Sequence, residues 1–443
     1  MADFSEIFKQ SGGLCRFSPD GAHIAVVLEH RLFVRSAETL QIVALFKCID
    51  SIQDVGWSAD SELIYCASFR LGSVQVFSLA DDSWTAQIDE GLAGCVAVRW
   101  APDARHLLCF SDFQLRITVW SLCSKDASYI QHPKFSDRGL VFRSDGKYVA
   151  VAERSAGKDH ICIYECQEWT LLKRWPVATN DLDGLAWSPD GRFIAVWEPS
   201  IEYAVLVYYP DGRLVHKYSA YDVGLGIKTV RWSPSAQFLA VGSYDQKCRL
   251  LNHYTWKPLV ELSHPANLQF QDIPVFKEVN LSDEKDLVTT AWSATDVVQA
   301  KLFYKVVQPP LHVPQIKPDP ERPNPRMGVG LAEFSCDGRH LVTRNDNMPN
   351  ALWIWDLTDL HQKALILQVT PIRSVRWSPR KPNMLAFCCG NGFVYLWQSD
   401  LGSESFEVPA LSFNVMSFEW NPDGRSLLLM DKDKLCVAYT IEE

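Results

Sequence analysis

The absences in this sequence narrow its chemistry before anything present is read. No apolar run approaches the roughly 20 residues that a membrane-spanning helix needs, and the opening MADFSEIFKQ has no apolar leader region. There is no excess of basic residues: 43 Lys and Arg stand against 53 Asp and Glu, a formal net charge of -10. That balance disfavours broad binding driven by nucleic-acid phosphates, which needs clustered cations. A P-loop, a nucleophile elbow, an HExxH zinc motif and a CxxC pair are all missing. Gly328-Val329-Gly330 lacks the third glycine and the βαβ context of a dinucleotide fingerprint, so no cofactor is expected. The 13 Cys, among them Cys66, Cys109, Cys162 and the adjacent Cys388-Cys389, show no metal spacing and read as buried free thiols of a reducing compartment. Asn280-Leu281-Ser282 matches a glycosylation acceptor, but no secretory leader supports it. The expectation is a cytoplasmic protein, free or attached to a cytosolic structure.

What is present is a repeat. Hydrophobic residues make up 47% of the 443 residues and aromatics 12%, with 16 Trp, as suits a large packed fold. Trp187-Ser188-Pro189-Asp190-Gly191, followed by Phe193-Ile194-Ala195-Val196, reads as a strand end, a tight turn and a second strand. Pro presets φ for the turn, Asp bonds its own backbone, and Gly accepts a positive φ. Copies marked by the aromatic before the turn fall at Phe17, Trp57, Trp100, Phe142, Trp187, Trp232, Phe334, Trp377 and Trp420. The steps between them are 40, 43, 42, 45, 45, 102, 43 and 43 residues. A period in the low forties with four short strands per unit predicts WD-type β-propeller blades, which must stack because one blade cannot bury both its faces alone.

The long step falls over residues 266–326. Either a degenerate blade occupies about 273–318, with Trp292 as a weak marker, or a β-hairpin is inserted there. The stretch QPPLHVPQIKPDPERPNP is too rich in proline for a central strand and reads as an extended surface connection. The last unit has three strands, and the N-terminal DFSEIFKQ is the natural source of its fourth, which would remove an exposed edge. The fold expected is all-β: residues 1–443 as one large propeller of nine or ten four-stranded blades closed by the N-terminal strand. Two smaller, unequally closed rings are the other arrangement.

Catalytic candidates are few. His253 and His264 lie near strand ends and read as structural, while Asp20, Asp190 and Asp423 belong to turns. Inner-strand positions read mainly Val, Ala, Leu and Arg, which disfavours an enzyme built around the channel. Three stretches hold more polar and aromatic detail than blade building demands. Tyr218 and Tyr221 lie in a connection between blades and are suited to anchoring a partner. Arg344, Asn345, Asp346, Asn347 and Asn350 lie between the second and third strands of their unit, and Trp197, Glu202 and Tyr203 in the equivalent loop of an earlier unit. For each, packing or turn formation is the competing explanation.

The segments QIDEGLAG (87–94), LRITVWSLC (115–123), YSAYDVGLGIKTVRWSPSAQFLAVGSYD (218–245), NHYTWK (252–257) and NPRMGVGLAEFSCDGRHLVTRNDNMPNALWIWDL (324–357) resemble the WD repeat-containing protein 8 family. The resemblance implies a non-enzymatic scaffold of centrosomes, centriolar satellites and spindle poles. It implies a coiled-coil partner of the afadin- and alpha-actinin-binding type, a minus-end-directed kinesin reached through that partner, anchoring of microtubule minus ends and support of cilium assembly. Because like charge disfavours contact between an acidic propeller and the acidic microtubule lattice, that contact is expected to be indirect. The competing function is an RNA- or ribosome-associated propeller of the translation-initiation type, against which the acidic balance counts.

Overall fold

The computed structural model describes residues 2–199, 201–269, 273–280, 302–319, 321, 324–410 and 412–440. Among them nine sheets of the blade type follow one another along the chain. Their first strands are Cys15–Phe17, Asp54–Trp57, Ala97–Trp100, Leu140–Phe142, Gly184–Trp187, Ile227–Trp232, Val329–Phe334, Ser374–Trp377 and Ser417–Trp420. Every one ends on a marker aromatic. The turn after it is built by the serine that usually comes next. Ser18, Ser58, Ser188, Ser233 and Ser335 are buried, and each hydroxyl accepts the amide of the residue five positions on, at 2.9–3.0 Å. Ser58 and Ser188 also donate to Asp60 and Asp190 at 2.5 Å, so the turn satisfies its own polar groups. Gly191 holds the closing position at φ 72°, which a side chain resists.

The marker tryptophans then tie blade to blade. Indole Nε1 of Trp57, Trp100, Trp232, Trp377 and Trp420 donates to a backbone carbonyl on the inner strand of the preceding blade, at 2.9–3.3 Å. Apolar packing follows the same logic. Nine hydrophobic clusters lie between successive blades, from the first with the second round to the ninth with the first. The core is therefore a ring of interfaces, and one closed ring of nine blades replaces both the ten-bladed and the two-ring arrangements.

Two blades depart from four strands of their own. In the seventh, a hairpin of Val275–Asn280 and Leu302–Val307 adds to the outer edge, with Val275–Asn280 running parallel to His361–Leu367. Trp292 lies outside the described residues. In the ninth, Ala2–Phe4 pairs antiparallel with Lys434–Thr440 and supplies the fourth strand, while Phe8–Lys9 pairs farther along the same strand. Since neighbouring strands within a blade alternate in direction, the aromatic-marked turns share one face of the ring. The connections between second and third strands, and those between blades, share the other.

Candidate functional site

That second face brings two of the three singled-out stretches together. Tyr203 is buried and meets Tyr221 and Tyr218 edge to face, with ring centroids 4.8 and 6.1 Å apart. Beneath them lies Arg249, a residue the sequence reading passed over as an ordinary strand position. It is 4% exposed and donates to Asp245 Oδ2 at 2.6 Å, Glu261 Oε1 at 2.9 Å and Ser243 Oγ at 3.1 Å. Burial works against its charge, but those partners outweigh it and hold the guanidinium firmly protonated. The Tyr203 and Tyr221 rings cover it at 5.7 and 6.0 Å. Glu202 accepts from Asn180 Nδ2 at 2.7 Å and lies 3.6 Å from Lys217. Trp197 lies against Gly184, where its ring occupies the space of a missing Cβ.

The named aromatics thus form a support rather than the outer surface. The Tyr221 hydroxyl donates to the Leu225 carbonyl at 2.5 Å, and a side chain at Gly226 would overlap the carbonyl oxygens of Glu202 and Pro199. Interlocked in this way, the two loops display Ile201 at 84% exposure, Val223 at 91% and Leu225 at 38%. Sequence reasoning missed these three because isolated apolar residues in a loop look like packing. Their signal was position, in two loops on one rim.

The third stretch requires a correction. Asn345 and Asn347 are buried, at 0% and 4% exposure, and both amide groups point at Gln246 Oε1, at 3.0 and 3.3 Å. The chain itself covers them: the Ile316 amide donates to the Asn347 carbonyl at 2.8 Å as the proline-rich segment passes over the rim. Arg344 donates to the Ile372 carbonyl at 2.7 Å, Asp346 is paired with Lys228, and Asn350 Nδ2 donates to the Val369 carbonyl at 2.8 Å. These five residues join blades six, seven and eight.

His264 is also tied into the ring by hydrogen bonds. His264 is 4% exposed, with Nδ1 2.9 Å from the Gln246 carbonyl and Nε2 2.7 Å from Thr343 Oγ1, which also accepts from Trp355 Nε1 at 2.8 Å. Burial lowers its pKa to about 4 and keeps it neutral. In the third blade Glu90 takes the corresponding place, accepting from Thr118 Oγ1 at 2.9 Å and Trp120 Nε1 at 2.5 Å. Among the described residues no group of three His, Cys, Asp or Glu is placed to hold a metal ion.

Comparison with known proteins agrees with this architecture. The family model "WD domain, G-beta repeat" matches residues 212–252. The C-terminal WD40 domain of Sif2 superposes with a TM-score of 0.53 at 12% identity, over 99% of each chain, a likeness of fold alone. An uncharacterized WD repeat-containing protein, C32H8.09, of Schizosaccharomyces pombe (strain 972 / ATCC 24843) is 24% identical over 93% of this chain and 87% of its own length. The WD repeat-containing protein WRAP73 of Mus musculus is 46% identical, covering 99% of this chain and 96% of its own length. On that similarity the chain belongs to the WRAP73 family of WD repeat-containing proteins.

Proposed function

We propose that this nine-bladed ring is a non-enzymatic scaffold at centrosomes, centriolar satellites and spindle poles. In this reading the WRAP73 family and the WD repeat-containing protein 8 family are one. The ring holds a coiled-coil partner of the afadin- and alpha-actinin-binding type, and through it a minus-end-directed kinesin, to anchor microtubule minus ends, organise the spindle and support cilium assembly. The observation that supports it most is identity of 46% along nearly the whole of a named relative, together with a rigid rim that displays apolar side chains. The partner's coiled coil supplies reach and valency, and the ring supplies a fixed platform. A net charge of -10 favours indirect contact with the microtubule.

The test is co-purification of the coiled-coil partner with the wild type and with an Ile201→Asp/Val223→Asp variant. Both side chains face solvent, so the variant should melt like the wild type. Capture by the wild type and at least tenfold weaker capture by the variant is the expected result. A wild-type chain that retains RNA or ribosomes and no such partner would overturn the scaffold reading.

A further inference from the structure

On the same face, the loops of blades two and three carry another apolar surface, of which Leu92 and Leu115 lie in segments that carry the resemblance and Leu71 and Phe113 do not. Leu71 lies between the strands Leu63–Ser68 and Ser73–Ser78, Leu92 in the connection that follows Thr85–Asp89, and Phe113 and Leu115 between His106–Phe110 and Arg116–Ser121. Leu92 is fully exposed, Phe113 is 90% exposed, and Leu71 and Leu115 are about half exposed. The three loops touch in series. The Glu90 amide donates to the Gly72 carbonyl at 3.0 Å, and the Asp112 carboxylate stands 3.0 Å from where a Cβ on Gly94 would sit. Ile49, on the next connection, shares a hollow with Leu71. Exposed apolar groups gathered on adjoining loops mark contact surfaces.

Two features show that the surface is held in place. Glu90, buried and bonded to Trp120 and Thr118, fixes the middle loop from below. Phe113 and Gln114 have φ of 53° and 55°, a region that bulky residues avoid. The backbone strain turns an aromatic ring into water, where it adds nothing to the core, and strain of that sort concentrates at binding sites. Charge selects the occupant. Asp89 and Asp112 are exposed and Asp50 half-buried at these loops, against two exposed cations, Lys47 and Arg70, while Arg116 is turned toward Glu90 and the Tyr129 ring.

We propose that this surface receives an amphipathic helix of a partner protein, its apolar stripe covering Leu92 and Phe113 and its flanks carrying Lys or Arg. The acidic margin disfavours an anionic membrane for the same reason that it favours a basic helix. The proposal rests on the scaffold reading for its biological setting, yet its test uses no coiled-coil partner, so either can fail alone. Fluorescence anisotropy of the full chain is measured with a synthetic 18-residue helix, Leu on one face and Lys on the other, and with a counterpart carrying Glu for Lys. The wild type should bind the Lys peptide at least tenfold tighter than the Glu peptide, and Leu92→Ser/Phe113→Ser should weaken that binding at least tenfold without changing the melt. Should that variant melt early, Leu71→Ser/Leu115→Ser is held to the same criterion. Equal binding by variant and wild type, absence of saturable binding, or binding to phosphatidylserine vesicles through these residues would overturn the proposal.

Discussion

Burial decides the behaviour of single residues here, and two of them pull stability in opposite directions with pH. Glu419 is pushed from its ordinary 4.5 up to about 7 by burial, offset in part by Arg16 and the Phe17 amide. The folded state therefore binds a proton that the unfolded chain has already lost, and stability falls as pH rises from about 4.5 to 7. His264, held down at about 4 against an ordinary 6.5, contributes a rise over nearly the same range. Glu419→Gln should remove the falling component, leaving stability that climbs more steeply from pH 4.5 to 6.5. Above pH 7 it should exceed the wild type by on the order of 2 kcal/mol. Urea melts at several pH values measure both effects. Thiols obey the same rule. Eleven are buried, with Cys15 pushed up to about 12 by desolvation, and Cys123 and Cys336 are exposed. Mass spectrometry after brief alkylation of the native protein should find label on those two and reach the rest only in denaturant.

At the scale of elements, the first strand of each blade was legible because its ending is local chemistry. An aromatic, a serine, an aspartate and a glycine within five residues specify a turn whatever lies around them, as Trp187–Gly191 shows. The role of Arg344–Asn350 was not legible in the same way. Whether Asn345 and Asn347 meet water depends on a proline-rich segment some thirty residues away in sequence lying across them, and loop composition carries no trace of that cover. Ile201 and Val223 were hidden for the converse reason: little among the described residues covers them, and a lone apolar residue does not announce its exposure. Arg344→Ala/Asn345→Ala/Asn347→Ala should consequently act on stability, lowering it by about 2–4 kcal/mol through lost bonds and buried groups left unpaired. Chemical denaturation measures the loss. Partner capture by the fraction that remains folded should be unchanged.

For the whole molecule, nine interfaces in a closed cycle mean that each blade is held from both sides. The ring is closed where Ala2–Phe4 and Phe8–Lys9 lie on Lys434–Thr440, a short pairing supported by the Ser5 hydroxyl, which accepts the Val437 amide at 2.9 Å, and by Gln10 Nε2, which donates to the Asp431 carbonyl at 2.7 Å. Deleting residues 2–9 should expose the edge of Lys434–Thr440, lower the melting temperature by several degrees and produce self-association visible by sedimentation velocity, because an unpaired edge recruits other edges.

That join also sets an order of events during synthesis. The strand that completes the ninth blade is made before the other blades, and its partner, Lys434–Thr440, after them. At about 5–20 residues per second, the early strand waits some twenty seconds or more with its edge open while the intervening blades emerge. Eight blades can assemble against their neighbours in sequence, but the circle closes only once Lys434–Thr440 has been made. The nascent chain spends that interval as an open arc with unpaired strands at its growing end, the form in which a chaperone would meet it.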